Sequence, residues 1–489
     1  MKIGRTARIL TGLCLAMGVL AFVVVWHNWG DTWGDTWGAG WRHANGDTGV
    51  GNSRLTAPPT PPHNTPPNTP PNSPANGASH APPSATAALS SSEKTAQIER
   101  GLYLARAGNC VACHSARGAA PMAGGRRIDT PFGAVYSSNL TPDVATGIGL
   151  WSPQDFWQAL HHGRSRDGRL LTPAFPYNHT SVITRSDSDD LLAWLQSLPP
   201  LSQTTPAHTL VWPVGTQAAL AVWRTLFFKP TPFQPQSNQS AEWNRGAYLV
   251  TGLGHCAACH SPRNALGASG DVNDLSGGLM PVINWYAPDL TRDAETGMAS
   301  TPLSGIVQLL RSGEAGHAQT SGPMAEVVQH GTQHMSEADL RAMAVYLQYR
   351  AQQNTPTPAK ASSPPARTPV SPLTAEKGIK VYERHCVQCH GEQGQGVTTA
   401  TGKIAYLALA GNRAVLLNDP TNLVQMVLYG GYGPATASHP RPFGMPPAVL
   451  ELDDRDIAAV LTHLRTQWGN QASEVTPLQV NRIRAAQGH

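Results

Sequence analysis

Three short stretches of the chain share one arrangement of sulfur and imidazole side chains. In each, two cysteines are separated by two residues and a histidine follows at once: Cys110, Cys113 and His114; Cys256, Cys259 and His260; Cys386, Cys389 and His390. The CxxC spacing places two thiols about one helical turn apart, and the next residue adds an imidazole beside them. These groups could add across the two vinyl groups of a porphyrin and ligate its iron, which is the chemistry of c-type haem attachment.

Zinc binding, a redox dithiol and a structural disulfide are the competing interpretations of a CxxC pair. Zinc would need a second pair of ligands in the same small domain, and none of the three segments has a third cysteine. A redox dithiol would not need a histidine after the second cysteine three times out of three. We therefore expect three covalently bound haem c groups, attached through the six cysteines, with His114, His260 and His390 as the proximal iron ligands.

Each haem iron also needs a sixth ligand, usually methionine or histidine. Met324 lies in "SGPMAEVV" and Met445 in "PFGMPP", each in a Gly/Pro-containing loop that precedes the last helical run of its segment. Such a loop can hold a thioether over the far face of the haem. We predict Met324 and Met445 as distal ligands, and we expect most other methionines to fill the cores.

The first segment has no methionine in the corresponding loop, "LTPAFPYNH". Phe175 stands there and cannot bind iron, so His179 is the predicted distal ligand. His161 and His162 are rival candidates, and a five-coordinate iron is the remaining alternative. Because thioether ligation raises a haem potential, a bis-histidine first haem is predicted to have the lowest potential of the three.

The elements around the three motifs repeat. A short helical run precedes each cysteine pair, and each segment ends in a helix that begins with Ser or Asp, which are N-cap residues. A shared T-x-D-x-x-T-G follows the first two motifs, starting at Thr141 and Thr291. Strand-like alternation is nearly absent. The predicted fold class is all-α, with three tandem cytochrome c-like modules behind an N-terminal transmembrane anchor.

The N-terminus and the linkers set the predicted domain boundaries. Lys2, Arg5 and Arg8 precede an apolar run that contains Cys14, and the absence of a small-residue cleavage site favours an uncleaved anchor over a signal peptide. The predicted divisions are a cytoplasmic N-terminus 1–8, a signal-anchor helix 9–26, a Trp/Gly- and Pro-rich tether 27–92, module 1 at 93–205, a connecting segment 206–239, module 2 at 240–353, a Pro-rich linker 354–372, module 3 at 373–470 and a tail 471–489.

Composition excludes several other classes of protein. The net charge of +4 over 489 residues and the lack of a basic run argue against nucleic-acid binding. No Ser/His/Asp set, phosphate-binding loop or dinucleotide fingerprint is present. The basic N-terminal flank predicts that the modules lie on the outer side of the cytoplasmic membrane. The apolar stretch from Val211 to Phe233 is interrupted by Arg224 and is predicted to be a helical brace between modules.

Five motifs carry a resemblance to a known family. They are "TPFGAVYSSNLTPD" (Thr130–Asp143), "EWNRGAYLVTGLGHCAACHSPRN" (Glu242–Asn264), "GPMAEVV" (Gly322–Val328), "DPTNLVQMVLYGG" (Asp419–Gly431) and "RPFGMPP" (Arg441–Pro447). The chain resembles the membrane-bound triheme cytochrome c subunits of bacterial periplasmic dehydrogenases, over residues 94 to 470. That family includes the cytochrome subunits of quinoprotein alcohol dehydrogenase and of flavin-dependent gluconate and sorbitol dehydrogenases.

The resemblance implies an electron-transfer subunit without a catalytic site of its own. Electrons would pass from a periplasmic dehydrogenase subunit through the haems to membrane ubiquinone or a terminal oxidase, at the bacterial inner membrane. Phe175 stands where the alcohol-dehydrogenase branch usually has methionine. This favours a partner of the molybdenum-hydroxylase type, acting on aldehydes or N-heterocycles. Alcohol or gluconate dehydrogenase is the alternative, and a peroxidase-like or gas-binding haem protein, which would need an open iron site, is a second.

Overall fold

A computed structural model describes residues 90–280, 282–354, 369–400 and 404–487. The predicted N-terminus 1–8, the signal-anchor helix 9–26 and nearly all of the tether 27–92 lie outside the described residues, as does most of the linker 354–372. Within the four described ranges, no helix is both long enough and apolar enough to cross a membrane.

Helices dominate the described residues. They are α1 Ser91–Ala107, α2 Cys110–His114, α3 Pro153–His162, α4 Tyr177–Thr180, α5 Arg185–Gln196, α6 Gln217–Phe227, α7 Ala241–Thr251, α8 Asp293–Thr296, α9 Leu303–Ser312, α10 Pro323–His330, α11 Glu337–Asn354, α12 Pro372–His385, α13 Val387–His390, α14 Arg413–Leu416, α15 Thr421–Tyr429, α16 Asp454–Thr466 and α17 Pro477–Gln487. Short 3₁₀ turns cover Cys256–Ala258 and Thr332–His334.

Side-chain caps fix where several of these helices begin. The Thr184 and Ser240 hydroxyls accept hydrogen bonds from the backbone N–H groups of Asp187 and Trp243, at the starts of α5 and α7. Asp453 caps α16 in the same way and forms a reciprocal capping box with Asp456. These bonds satisfy N–H groups that have no partner within the helix, so each cap stabilises its helix by about 1 kcal/mol.

The predicted all-α class is wrong, because the structure mixes helices with short antiparallel ladders. The strands are β1 Arg127–Thr130, β2 Gly133–Tyr136, β3 Thr209–Leu210, β4 Gly278–Met280, β5 Trp285–Ala287, β6 Glu314–Ala315, β7 Ala318–Gln319, β8 Val397–Thr398, β9 Ile404–Tyr406, β10 Gly431–Tyr432 and β11 Gly444–Met445. Strands β1, β2 and β3 form one sheet, and the others pair two by two. Strands of two to four residues are too short for an alternating pattern to be recognised in the sequence.

Each module has its own hydrophobic core. The core of module 1 is built around Leu104, Leu191 and Leu195, that of module 2 around Leu249, Leu340 and Tyr346, and that of module 3 around Tyr382, Ile457 and Leu461. The cores of modules 1 and 2 interleave. Two residues of module 2, Tyr248 in α7 and Leu253 in the loop after it, pack in the core of module 1.

A glycine lies where the first and last helices of each module cross. A β-carbon at Gly101 would lie 2.0 Å from the Asp190 carbonyl oxygen, and one at Gly246 would lie 1.9 Å from that of Ala342. At Gly378, in module 3, the corresponding distance to the Ala459 carbonyl oxygen is 2.5 Å. Only glycine permits so close an approach of two backbones. The crossing sets the relative position of the first and last helices of each module, and we refer to this helix pair, together with the CxxCH turn that it supports, as the frame of the module.

Polar contacts join module 2 to both of its neighbours. On one side, Tyr103 of α1 donates a hydrogen bond of 2.6 Å to Asp339, whose carboxylate also pairs with Arg245 at 2.8 Å. On the other side, the Asn422 side chain accepts a hydrogen bond from the Tyr286 backbone N–H and donates one to its carbonyl, at 2.8 and 2.7 Å. Module 2 is therefore in direct contact with module 1 and with module 3.

The connecting segment carries α6, which is tied to both adjoining modules. The Leu170 backbone N–H donates to the Gln217 side chain over 2.7 Å, next to module 1. The Trp223 indole donates to the Leu266 carbonyl of module 2 over 2.9 Å. Helix α6 thus lies against modules 1 and 2 at the same time, as a brace would.

Candidate functional site

The three CxxCH motifs form tight turns at the ends of the first helices of their modules. None of the six cysteines that the structure describes forms a disulfide. In modules 1 and 2, the residue before the first cysteine has a left-handed backbone, with φ of 48° at Asn109 and 36° at His255. In each case this residue immediately precedes the turn that carries the thiols.

The cysteine environments do not favour a metal thiolate site. Burial raises the pKa of Cys110 and Cys256 to about 12 and that of Cys386 to about 11, and the second cysteine of each pair adds to the rise. Because a bound metal would itself deprotonate such thiols, the number of further ligands is what separates zinc from haem here. Across the described ranges, no cluster of three or more His, Cys, Asp or Glu side chains is placed to hold a metal ion. Unbridged thiol pairs with no further metal ligands fit covalent attachment of haem.

The three histidines predicted as proximal ligands share one hydrogen-bond arrangement. Nδ1 of His114 lies 2.8 Å from the Ser138 carbonyl oxygen, that of His260 lies 2.8 Å from the Pro288 carbonyl, and that of His390 lies 2.9 Å from the Leu407 carbonyl. An Nδ1–H donated to a carbonyl places the free lone pair on Nε2, so the opposite nitrogen is the one offered to iron.

The protonation state of these histidines also suits a ligand. Burial lowers the pKa of His114, His260 and His390. A neutral imidazole is the form that coordinates a metal, so the lowered pKa keeps the ring ready to bind at neutral pH. The donor set of each motif is thus two unbridged thiols and a neutral, oriented imidazole, and these residues fit haem c. Bound there, haem would supply one-electron redox chemistry.

Sequence reasoning missed the groups that hold these histidines. In modules 1 and 2 these groups are backbone carbonyls, and a buried polar residue follows each of them, Asn139 in module 1 and Asp289 in module 2. The Asn139 side chain accepts a hydrogen bond of 2.9 Å from the backbone N–H two residues later, and the Asp289 side chain accepts the equivalent bond of 2.7 Å. This turn fixes the direction of the carbonyl. The signal was available, because "NLT" and "DLT" stand at the same place before the shared T-x-D-x-x-T-G.

Met324 and Met445 each lie in the same core as the cysteines of their modules. Met324, in the first turn of α10, is half-buried and packs with Cys256 on the core of module 2. Met445 lies in β11 opposite Gly431 and packs with Cys386 on the core of module 3. Their role as distal ligands stays a prediction.

His179 is 1% exposed and lies in α4, at the boundary with module 2. Its Nδ1 lies 2.9 Å from the Thr251 carbonyl oxygen at the end of α7, and its ring centroid lies 6.4 Å from that of His255. Burial lowers its pKa to about 4. The ring is therefore neutral with Nε2 as its free nitrogen, the same state as that of the three proximal histidines.

The rival histidines of module 1 differ from His179 in their surroundings. Nε2 of His161 lies 2.7 Å from the Ile183 carbonyl oxygen, and its ring stacks on Trp157 with 3.5 Å between centroids. In His161 the hydrogen bond to the carbonyl therefore uses Nε2. In His179 it uses Nδ1 and leaves Nε2 available. His162 is half-buried at the end of α3. Phe175 packs on the core of module 1 together with Cys110.

Comparisons with known proteins agree with the haem-binding interpretation. Residues 375–468 match the family model described as Cytochrome c. The chain is 36% identical to the gluconate 2-dehydrogenase cytochrome c subunit of Pantoea cypripedii, over 80% of this chain and 90% of that protein. It is also 36% identical to the cytochrome c subunit of the quinone-dependent alcohol dehydrogenase of Gluconacetobacter polyoxogenes, over 80% of this chain and 84% of that one.

A third relative informs the choice of dehydrogenase branch. One of the subunits of nicotinate dehydrogenase from Pseudomonas putida is 38% identical over 79% of this chain, but the match covers only 32% of that protein. The alcohol and gluconate alternative is therefore better supported than the predicted preference for a molybdenum-hydroxylase partner. The chain belongs to the family of cytochrome c subunits of bacterial dehydrogenase complexes, which transfer electrons and are not the catalytic subunits.

Proposed function

We propose that this chain carries three haem c groups, one on each CxxCH turn. His114, His260 and His390 are the proximal ligands, and His179, Met324 and Met445 complete the three irons. The observation that carries the proposal is the threefold repetition of one geometry, an unbridged cysteine pair beside a histidine whose Nδ1 is held by a backbone carbonyl. A single haem would leave two such sites without a purpose.

Electrons cross the three haems in the order of the modules, with the second haem in the middle. Module 2 contacts both neighbours, through Tyr103 and Asp339 on one side and through Asn422 and Tyr286 on the other. The thiols of Cys113 and Cys259 are close enough to interact: burial raises the pKa of Cys259, and Cys113 contributes to the rise. The attachment turns of the first two modules therefore lie near each other.

The electron donor is the catalytic subunit of a dehydrogenase of the alcohol or gluconate type, and the acceptor is membrane ubiquinone or a terminal oxidase. The complex works at the periplasmic face of the bacterial inner membrane. The cytochrome c subunits of gluconate 2-dehydrogenase and of alcohol dehydrogenase support this donor, because this chain matches most of the length of each. A molybdenum-containing donor is the other candidate, supported by the match to nicotinate dehydrogenase.

Haem counting tests the proposal directly. The pyridine haemochrome of the purified chain should give three haems per polypeptide, and each double variant, such as Cys256→Ala with Cys259→Ala, should lose one of them. A wild-type count of one or two would refute the triheme assignment. Metal analysis of the co-purified complex then identifies the donor, because molybdenum marks a hydroxylase and calcium with a quinone cofactor marks an alcohol dehydrogenase.

A further inference from the structure

Helix α6 exposes an apolar stripe without any charged side chain. Val222 and Leu226 lie one turn apart and are 61% and 63% exposed, and Ala218, Ala221 and Thr225 continue the same face. Trp212, in the loop before the helix, is 86% exposed. The other side of α6 packs on modules 1 and 2, so this stripe is the solvent-exposed face of the helix.

The surroundings of the stripe are basic. The whole connecting segment 206–239 contains no aspartate or glutamate, while it contains Arg224 and the exposed Lys229. Arg164, at the end of α3, lies beside it. The nearby Arg166 and Arg169 are paired with Asp155 and Asp167, at 3.8 and 3.1 Å, and add no net charge. Arg164, Arg224 and Lys229 thus give the edge of the stripe a positive charge.

A groove of about 350 Å³ runs along this edge. Arg164 and Arg224 line its polar side, Leu170, Phe228 and Pro230 line its apolar side, and Ala221 and Thr225 join it to the stripe. The Arg224 guanidinium is held in place by hydrogen bonds to the His162 and Gly163 carbonyls and by stacking on Tyr177 and Phe228, 4.9 and 4.7 Å from the ring centroids. Planar guanidinium groups bind phosphate oxygens in a fork-like geometry.

We propose that α6 and the preceding loop form a docking surface for the anionic face of a lipid bilayer. Trp212, Val222 and Leu226 enter the interface between head groups and acyl chains, and the groove accepts a lipid phosphate between Arg164 and Arg224. An apolar stripe bordered by basic residues, with tryptophan at one end, is the pattern of a helix that lies in a membrane surface. The positive charge of Arg164, Arg224 and Lys229 beside the stripe is complementary to the phosphates of an anionic bilayer, which favours a membrane as the occupant.

The inference rests on the proposed location at the membrane but not on the number of haems. Full-length holoprotein is mixed with vesicles of phosphatidylcholine containing 30% phosphatidylglycerol, and hydrogen exchange is measured with and without vesicles. We expect the amides of residues 211–228 to gain protection. A local readout is needed because residues 1–89 could bind vesicles independently.

Three variants sharpen the test. Leu226→Glu should remove the protection and weaken the local contact about tenfold or more, since a leucine loses its burial. The matched control is Leu450→Glu in module 3, because Leu450 is 96% exposed and should not matter. Arg164→Gln with Lys229→Gln should weaken binding to the anionic vesicles by roughly fivefold per charge and leave binding to pure phosphatidylcholine unchanged.

Each other outcome overturns the inference and says where the error lies. If the chain binds vesicles while residues 211–228 stay unprotected, the membrane location stands and the docking surface is wrong. If the chain does not bind vesicles at all, both the location and the surface are wrong. If the catalytic subunit, without lipid, protects residues 211–228 and vesicles do not, the stripe is a protein interface.

Discussion

Modules 1 and 2 are built on the same proximal frame and differ on the distal side. Gly101 and Gly246 stand at equivalent helix crossings, and His114 and His260 donate Nδ1–H to equivalent carbonyls. The residue predicted as the distal ligand is His179 of α4 in one module, shortly after Phe175, and Met324 of α10 in the other. Under the proposed haem assignment, the shared helix crossing and histidine would set the position of each haem, and the residues on the distal side would set its potential.

The shared frame predicts the largest effects. Gly101→Ala and Gly246→Ala each drive a β-carbon to within 2.0 Å of a backbone oxygen, which requires two helices to separate. Both should lower the stability of their modules by about 3 kcal/mol, which exceeds the ~1 kcal/mol that alanine gains in a helix. Hydrogen exchange of α1 and α5, or of α7 and α11, would measure the loss.

Gly305→Ala is the matched control for these two variants. A β-carbon there would meet only the Thr301 methyl group, at 3.0 Å, so the change should be within about 1 kcal/mol of neutral. If Gly246→Ala changed the stability of its module as little as Gly305→Ala does, the close helix crossing at Gly246 would not be needed to hold the module together.

Exchanging the distal residues tests the difference between the two modules. His179→Met should raise the potential of the first haem, and Met324→His should lower that of the second, because thioether ligation favours the reduced iron. We expect each shift to be on the order of 0.1 V, within the ~0.8 V range that axial ligands span. A spectroelectrochemical titration of the three haems would resolve them.

The wild-type titration is informative before any substitution. The first haem should have the lowest potential, and His161→Gln should leave it unchanged, since Nε2 of His161 is engaged with the Ile183 carbonyl. A first haem with the highest potential, or one that responds to His161→Gln and not to His179→Met, would contradict the assignment of His179.

The chemistry of the site was predictable from the sequence to a greater extent than the details of the fold. The identities and spacing of the CxxCH residues are local, and so the attachment chemistry could be predicted. The ladders such as β10–β11, which positions Met445, depend on contacts between distant residues and contain two residues per strand. The same applies to Leu407, whose carbonyl acts through backbone geometry and leaves no side-chain signature.

The turns behind the proximal histidines predict a smaller effect. Asn139→Ala removes the acceptor for the Thr141 N–H, and Asp289→Ala removes that for Thr291. Each should cost about 2 kcal/mol, because a buried hydrogen-bonding group loses its partner. The potential of the haem in the altered module should also rise, since a loosened Nδ1–H bond makes the imidazole a weaker donor to iron. The haem of the unaltered module serves as the internal control, and an equal shift of both potentials would exclude a local role for the turn.

The smallest effect concerns the contact that joins the two modules. Burial alone would raise the pKa of Asp339, but hydrogen bonds from Arg245 and Tyr103 outweigh it and hold the pKa below its usual value. A carboxylate with a lowered pKa in the folded protein stabilises it at pH values above about 4, and that contribution is lost as the pH falls through the folded pKa. We expect Asp339→Asn to cost about 1 kcal/mol at pH 7 and to flatten the fall in stability as the pH is lowered from neutral to below about 4.

Urea unfolding of the holoprotein across that pH range, followed by hydrogen exchange at α1 and α11, would measure this. Tyr103→Phe removes the hydrogen bond of 2.6 Å and keeps the pairing with Arg245, so it should retain most of the pH dependence. Because Tyr103 belongs to module 1 while Arg245 belongs to module 2, Tyr103→Phe weakens only the bond between modules. Parallel pH curves for wild type and Asp339→Asn would mean that Asp339 contributes no pH-dependent stability to the contact between the two modules.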